Sequence, residues 1–136
     1  MSEKYAVFGN PIEHSKSPEI HRAFADQTGQ TMEYRRQLVD AEGFVAAADA
    51  FFDTGGKGLN ITVPFKLDAY GYVSRTTPRA RRAGAVNTLV MQTNGIILGD
   101  TTDGVGLVND LKNNLGWEIR AKRVLILGAG GAVRGI

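Results

Sequence analysis

The sequence predicts an α/β fold: a mostly parallel sheet flanked by helices, followed by one further strand and a glycine-rich turn at the end of the chain. Three observations predict it. Short apolar runs alternate with segments whose apolar residues recur at helical spacing, the pattern of βαβ units. The runs end in clusters of Gly, Pro and Asn, which punctuate strands with loops. Residues 123–136, RVLILGAGGAVRGI, read as a buried strand entering a Gly-x-Gly turn with a helix beginning behind it.

Taken in order, residues 5–8 form a short apolar run closed by Gly9, Asn10 and Pro11, a strand and then a loop. Ser17 and Pro18 open a helix, since Ser suits the N-cap and Pro the first helical position. Ile20, Ala23 and Phe24 share its apolar face, and Gly29 ends it. Residues 32–39 fit a strand. Asp40 is placed to cap a second helix bearing Phe44, Val45, Ala48, Phe51 and Phe52, which stops at Gly55 and Gly56. Residues 58–63 are the third strand, closed by Pro64. Residues 65–83 divide into two short helices, the second opened by Pro78. Residues 85–91 and 95–98 make a hairpin across Thr93 and Asn94. Asp103 caps a long helix carrying Val105, Leu107, Val108, Leu111 and Leu115, ended by Gly116, and a connector leads to the strand at 123–127. The division expected is a first domain over 1–104, a linker helix and connector over 105–121, and the opening of a Rossmann unit over 122–136.

Composition sets bounds. Of 136 residues, 43% are hydrophobic and 22% charged, the balance of a globular protein in water. Sixteen Lys and Arg against fourteen Asp and Glu give a formal charge of +2, too small to argue for nucleic acid. Arg79, Arg81 and Arg82 form the one basic concentration, read as a solvated helix face. With no cysteine there is neither a disulfide framework nor a thiolate nucleophile or metal ligand, which suits the cytoplasm, and no metal site is expected. The N-terminus lacks an apolar signal region, and no stretch approaches the roughly 18 apolar residues of a membrane span.

Four clusters of small polar residues stand where strands end, the place where open α/β sheets hold ligands. In the first, Ser15 and Ser17 precede a helix whose free N–H groups make a natural seat for a carboxylate; Ser17 can equally serve as a plain N-cap. In the second, Asn60 and Thr62 lie on one side of a strand, and Lys66 follows in the first turn of a helix, where a cation opposes the helix dipole. That misfit points to a role for the ammonium group, with an ordinary surface lysine as the other reading. In the third, Asn87 sits among β-branched residues, where its amide must bond something specific, whether a ligand or nearby backbone. In the fourth, Asp103 is either an N-cap or, within reach of Lys66, the partner in a pair that passes a proton to or from a hydroxyl. The Gly128-x-Gly130 turn lacks a third glycine at the usual spacing, since Val133 stands there. Its position after a strand favours a nucleotide pyrophosphate.

Together these segments resemble the shikimate dehydrogenase family along essentially the whole chain. The motifs are GNPIEHSKSP (9–18), GLNITVPFK (58–66), AGAVNT (83–88), GDTTDGVGLVNDL (99–111) and LGAGGAVRG (127–135). The resemblance implies reversible reduction of 3-dehydroshikimate to shikimate with NADPH, in the pathway to aromatic amino acids. It implies that Ser15 and Ser17 hold the substrate carboxylate, that Asn60, Thr62, Asn87 and Asp103 bond ring hydroxyls, and that Lys66 and Asp103 are the catalytic pair. By the same resemblance Gly128, Ala129, Gly130, Gly131 and Ala132 would cradle the NADP pyrophosphate.

The chain departs from the family at Thr101, where Asn is usual; Thr cannot bridge two partners as an amide does, so a less firmly held Asp103 loop is expected. A family member would also continue for on the order of 100–150 residues, another domain's length, so this chain is expected to be an incomplete and inactive form. Apolar surface where that domain would pack makes association, such as a homodimer, an expectation. Three rivals remain open: a substrate-binding domain without catalysis, a quinate/shikimate dehydrogenase using NAD or NADP, and an unrelated Rossmann protein. An acidic or basic residue about 20 positions after Gly128 separates NAD from NADP.

Overall fold

The computed structural model describes residues 2–136, and its centre is the strand β1 (Glu3–Gly9). Ala6, Val7 and Phe8 are all buried there, which a strand covered on both faces requires. Helix α1 (Ser17–Thr28) carries the chain over to β2 (Met32–Leu38), and α2 (Phe44–Asp53) carries it back to β3 (Gly56–Ile61). Both β2 and β3 pair with β1 in parallel, as such crossovers require. Gly29, at φ 66°, ends α1 as predicted.

Beyond β3 come α3 (Lys66–Tyr72), β4 (Arg75–Thr76), α4 (Pro78–Ala83) and the antiparallel hairpin β5 (Thr88–Met91) and β6 (Ile97–Asp100). The six strands form one sheet in the order β2-β1-β3-β5-β6-β4. Pairs β1/β2, β1/β3 and β4/β6 are parallel, while β3/β5 and β5/β6 are antiparallel. The predicted α/β class with a mostly parallel, helix-flanked sheet therefore stands. Strand β4 has no counterpart in the sequence pattern, because two residues are too short to show a period.

The core lies on one face of the sheet. Phe44, Ala48 and Phe52 of α2, with Phe65, Ala69 and Ala80 beyond, pack on Phe8, Leu59, Ile61 and Leu89. The Phe44 and Phe65 rings stack at 5.5 Å, and Phe8 meets Phe44 and Phe51 edge-on, the geometries that aromatic quadrupoles favour.

Several boundaries differ from expectation. Asp40 does not cap α2: residues 40–43 form a turn in which the Gly43 N–H donates to the Asp40 carbonyl, and the helix opens at Phe44. Asn87 lies in a bend just before β5 and not within a strand. The helical run after residue 102 extends, as predicted, to just before Gly116 (φ 66°), but only Asp103–Asn109 (α5) is α-helical; Asp110–Asn114 form a π-helical turn, and none of these residues is buried.

The predicted buried strand at 123–127 is not formed. Those residues pair with no strand among the described residues, and Leu125 and Leu127 are 83% and 85% exposed. A strand is made by its neighbours, and an apolar run without them stays an extended segment. A four-residue helix α6 (Gly131–Arg134) follows. No helix among the described residues is long and apolar enough to cross a membrane.

Candidate active site

Sheet order explains why distant polar residues meet. Strands β1 and β3 end at the same edge, β5 begins there because it runs antiparallel, and β6 ends there. The register places Val7 beside Asn60, Asn60 beside Thr88, and Thr88 beside Asp100. A cavity of about 420 Å³ opens at this edge, and Ser15, Ser17, Asn60, Thr62, Lys66, Asn87 and Asp103 all line it. All seven residues picked from sequence for the substrate side thus share one cavity.

Neither Ser17 nor Asp103 is the N-cap of its helix. Ser17 is the first residue of α1, with Lys16 in the cap position. Ser15 serves the helix end in its place. The Ser15 Oγ accepts from the Ser17 N–H at 3.3 Å, and its hydroxyl donates to Ser17 Oγ at 3.2 Å. The guanidinium of Arg36 fixes this loop by donating to the Ser15 carbonyl at 2.8 Å while also gripping Glu19. Asp103 likewise is the first residue of α5 and makes no cap bond. Its carboxylate instead accepts from Lys66 Nζ at 2.6 Å and from Asn87 Nδ2 at 2.9 Å.

Lys66 and Asp103 are 14% and 27% exposed, shielded yet open to the cavity. The carboxylate offsets the unfavourable position of the ammonium at the start of α3, and a partly buried charge-assisted pair holds a defined geometry. Asn87 is saturated by protein. Its Nδ2 donates to Thr102 Oγ1 and Asp103 Oδ1, and its Oδ1 accepts from the Thr102 N–H and the Thr88 hydroxyl. These four bonds use the full capacity of an amide.

The loop carrying Asp103 is secured from its other end by Asp100, which sequence reasoning missed. The guanidinium of Arg79, the Thr77 hydroxyl and the Thr101 N–H all donate to the Asp100 carboxylate. Arg79 foremost, then Thr77 and Thr101, hold its pKa down to about 2 against the opposing effect of burial. Thr101, where the family's usual Asn was expected to tie the loop, contributes no side-chain hydrogen bond. That residue is only 5% exposed, and its Oγ1 finds no hydrogen-bond partner among the described residues; Asp100 and Asn87 hold the loop in its place.

A carboxylate with a depressed folded pKa favours the folded state above its unfolded value of 3.8 and loses that contribution as pH falls toward 2. Asp100→Asn should therefore lower the urea midpoint at neutral pH, with the gap to the parent closing below about pH 4. A gap that stays constant down to pH 2 would count against this role.

The glycine-rich turn reaches the same region. Gly128 has φ 130°, and a Cβ on Gly131 would stand 2.9 Å from Lys66 Cβ, so the turn packs on α3 only because Gly131 lacks a side chain. Around Gly130 the space is open, which leaves room for a group such as a pyrophosphate to approach the backbone. Within the turn that open space is found at Gly130, whereas Lys66 occupies it at Gly131, and the strand before the turn stays unpaired. Tyr34 and His21 were also missed. Their rings stack at 4.2 Å, His21 on the cavity wall and Tyr34 beside it, and burial pushes the Tyr34 phenol up to about 12, with the Ser17 hydroxyl opposing. No sequence signal marks them, since β2 comes near Asn60 only through sheet order.

Fold and cavity define the class: an α/β domain with its polar groups gathered around a cavity at one edge of the sheet. Residues 7–89 match the family described as shikimate dehydrogenase substrate binding domain, and the chain belongs to that family. The shikimate dehydrogenase (NADP(+)) of Cellvibrio japonicus (strain Ueda107) is 63% identical over all 136 residues, which make up 49% of that protein. Among solved structures, shikimate dehydrogenase from Aquifex aeolicus superposes with a TM-score of 0.92 at 34% identity, covering 99% of this chain and 50% of its own. The Thermus thermophilus enzyme, solved with NADP(H) and shikimate, gives 0.88 at 32% identity, covering 98% of this chain and 50% of its own. The chain spans about half the length of the curated relatives it matches.

Proposed function

We propose that this chain is the substrate-binding part of an NADP-dependent shikimate dehydrogenase, which interconverts 3-dehydroshikimate and shikimate. The observation that carries the reading is the 2.6 Å contact of Lys66 Nζ with Asp103 Oδ2 on the wall of a polar cavity. In this reading residues 1–104 form the substrate domain, 105–121 the linker, and 122–136 the opening of the cofactor domain. The two-electron chemistry belongs to the bound cofactor, which would supply the hydride as NADPH and accept it as NADP⁺. A cytoplasmic enzyme fits the lack of cysteine.

The residues of the chain then divide the remaining work. Ser15 and Ser17 turn their hydroxyls to the substrate carboxylate at the positive end of α1. Asn60 and Thr62 meet ring hydroxyls. In the reducing direction the Lys66 ammonium gives a proton to the carbonyl oxygen as negative charge develops there; in the oxidising direction Lys66, as the neutral amine, takes the hydroxyl proton, and Asp103 pairs with the ammonium that forms. Asp103 keeps Lys66 aimed and also reaches a ring hydroxyl. Asn87 acts chiefly by holding Asp103, because a substrate hydroxyl gains its amide only by displacing Thr88 or Thr102.

Calorimetric titration with shikimate tests the reading on this chain directly. Parent protein should bind, and Ser17→Ala should weaken binding about tenfold, the effect of one hydrogen bond to a charged group. The methyl ester of shikimate should lose a comparable factor on the parent and little more on the variant. Equal affinity for acid and ester would sink the carboxylate assignment.

A further inference from the structure

Asn60 presents an amide to the cavity, and an amide can turn either its oxygen or its nitrogen toward a ligand. The hydrogen bonds behind it settle which, through a series that begins at Asp103. An ionised carboxylate only accepts, so Asn87 must direct Nδ2 at Asp103 Oδ1, a contact of 2.9 Å. Asn87 Oδ1 is then turned to Thr88, and the Thr88 hydroxyl donates to it at 2.8 Å. With its one hydrogen committed, Thr88 Oγ1 must accept, and Asn60 Nδ2 approaches it at 3.4 Å. Asn60 Oδ1 is thereby left facing away from Thr88. There it accepts the Tyr34 hydroxyl at 2.6 Å, the shortest contact of the series. Every hydrogen in this chain of bonds points toward Asp103, an arrangement in which each bond polarises the next.

Tyr34 is well placed to anchor the far end. It belongs to β2, separated from β3 by β1. The register sets Tyr34 beside Tyr5 and Asn60 beside Val7, so the two side chains share one face of the sheet. Its ring is stacked on His21 at 4.2 Å and 15°, and His21 Nδ1 lies 2.9 Å from the Ser17 carbonyl. Because a carbonyl only accepts, Nδ1 carries the hydrogen, which ties the ring to the first turn of α1. Tyr34 does not itself line the cavity, whereas Asn60, Ser17 and His21 do. Its hydroxyl stays protonated well above neutral pH, since burial raises it to about 12.

We propose that Tyr34 is a positioning residue that locks Asn60 with its oxygen turned inward, so that Asn60 offers the cavity a hydrogen-bond donor. One Nδ2 hydrogen goes to Thr88, and the other is free for the ligand. The ligand group at this point must therefore accept a hydrogen bond. An ether or fluorine in place of the hydroxyl that meets Asn60 is tolerated there, whereas a group that can only donate is not. This inference rests on the shikimate reading for its ligand but not for the Tyr34–Asn60 link itself.

Tyr34→Phe tests it, since phenylalanine keeps the stack on His21 and removes only the hydroxyl. Two measurements on the chain separate the two claims. In the first, the side-chain amide resonances of Asn60 in ¹⁵N-labelled protein should shift and broaden in the variant, while those of Asn87 stay in place. Unchanged Asn60 resonances overturn the proposal whatever the ligand does. In the second, shikimate affinity should fall about five- to tenfold, the effect of an amide no longer held in one orientation. Should the parent fail to bind shikimate, the functional reading fails and the resonances alone decide on Tyr34. If the parent binds and the variant binds equally well, the positioning role is wrong. In a polypeptide carrying this chain at the full length of its relatives, Tyr34→Phe should raise KM by the same factor and leave kcat within about twofold. A fall in kcat with KM unmoved would assign Tyr34 to the proton step and overturn the proposal.

Discussion

Lys66→Ala should lower kcat for shikimate oxidation by about 10³-fold, the size of a lost general acid–base group. The assay is NADP⁺ reduction by a polypeptide that carries this chain at the full length of its relatives. Lys66 lies at the cavity with its ammonium 2.6 Å from Asp103, so the variant removes the proposed proton donor and leaves a carboxylate without its partner. Asp103→Asn should fall by a similar factor. The double variant should be little worse than either single one, because residues acting as one unit are strongly non-additive. Binding should suffer much less than turnover, since Ser15 and Ser17 remain. A Lys66→Ala enzyme turning over within tenfold of the parent would remove the proton role and favour the reading of a binding domain.

Phe65→Ala should destabilise the chain by about 3–5 kcal/mol, enough to threaten folding in a domain whose total stability is about 5–15 kcal/mol. Phe65 is 0% exposed, stacks on Phe44, and immediately precedes Lys66 at the start of α3. The cost combines lost burial with the cavity left among Phe44, Ala69 and their neighbours. Phe65→Leu, which keeps most of the volume, should cost much less. Urea unfolding of both variants checks the ranking. The same anchor aims Lys66, so the leucine variant should also show reduced turnover while remaining folded. Equal midpoints for alanine and leucine would show that Phe65 is not a packed anchor.

The fold was legible where local chemistry governs. Pro18 and Pro78 open helices, Gly29 closes one, and apolar runs such as that around Phe8 become strands, because backbone limits and burial act within a few residues. Prediction failed where the outcome depends on a neighbour. Residues 124–127 have the composition of a central strand, yet without flanking strands they remain exposed. Strand β4 exists because β6 is there to pair with it. The helix beginning at Asp103 has an apolar stripe, but none of its residues is buried, and it widens into a π-turn.

The site divides in the same way. By itself the sequence determined which residues could do chemistry: small polar groups at strand ends, a lysine against a helix dipole, and a glycine turn without side chains. Only the tertiary structure decided what each one meets. Ser17 and Asp103 could each have been helix caps, and Lys66 and Asp103 stand 37 residues apart in the chain. Their meeting depends on the order β2-β1-β3-β5-β6-β4, which turns one end of β5 toward the ends of β1, β3 and β6. That order also brings Tyr34, 26 residues away, onto Asn60. The physical reason is reach: capping and turn preferences act over a few neighbouring residues, whereas the partner of a polar side chain is whichever group the packed sheet sets within about 3 Å of it.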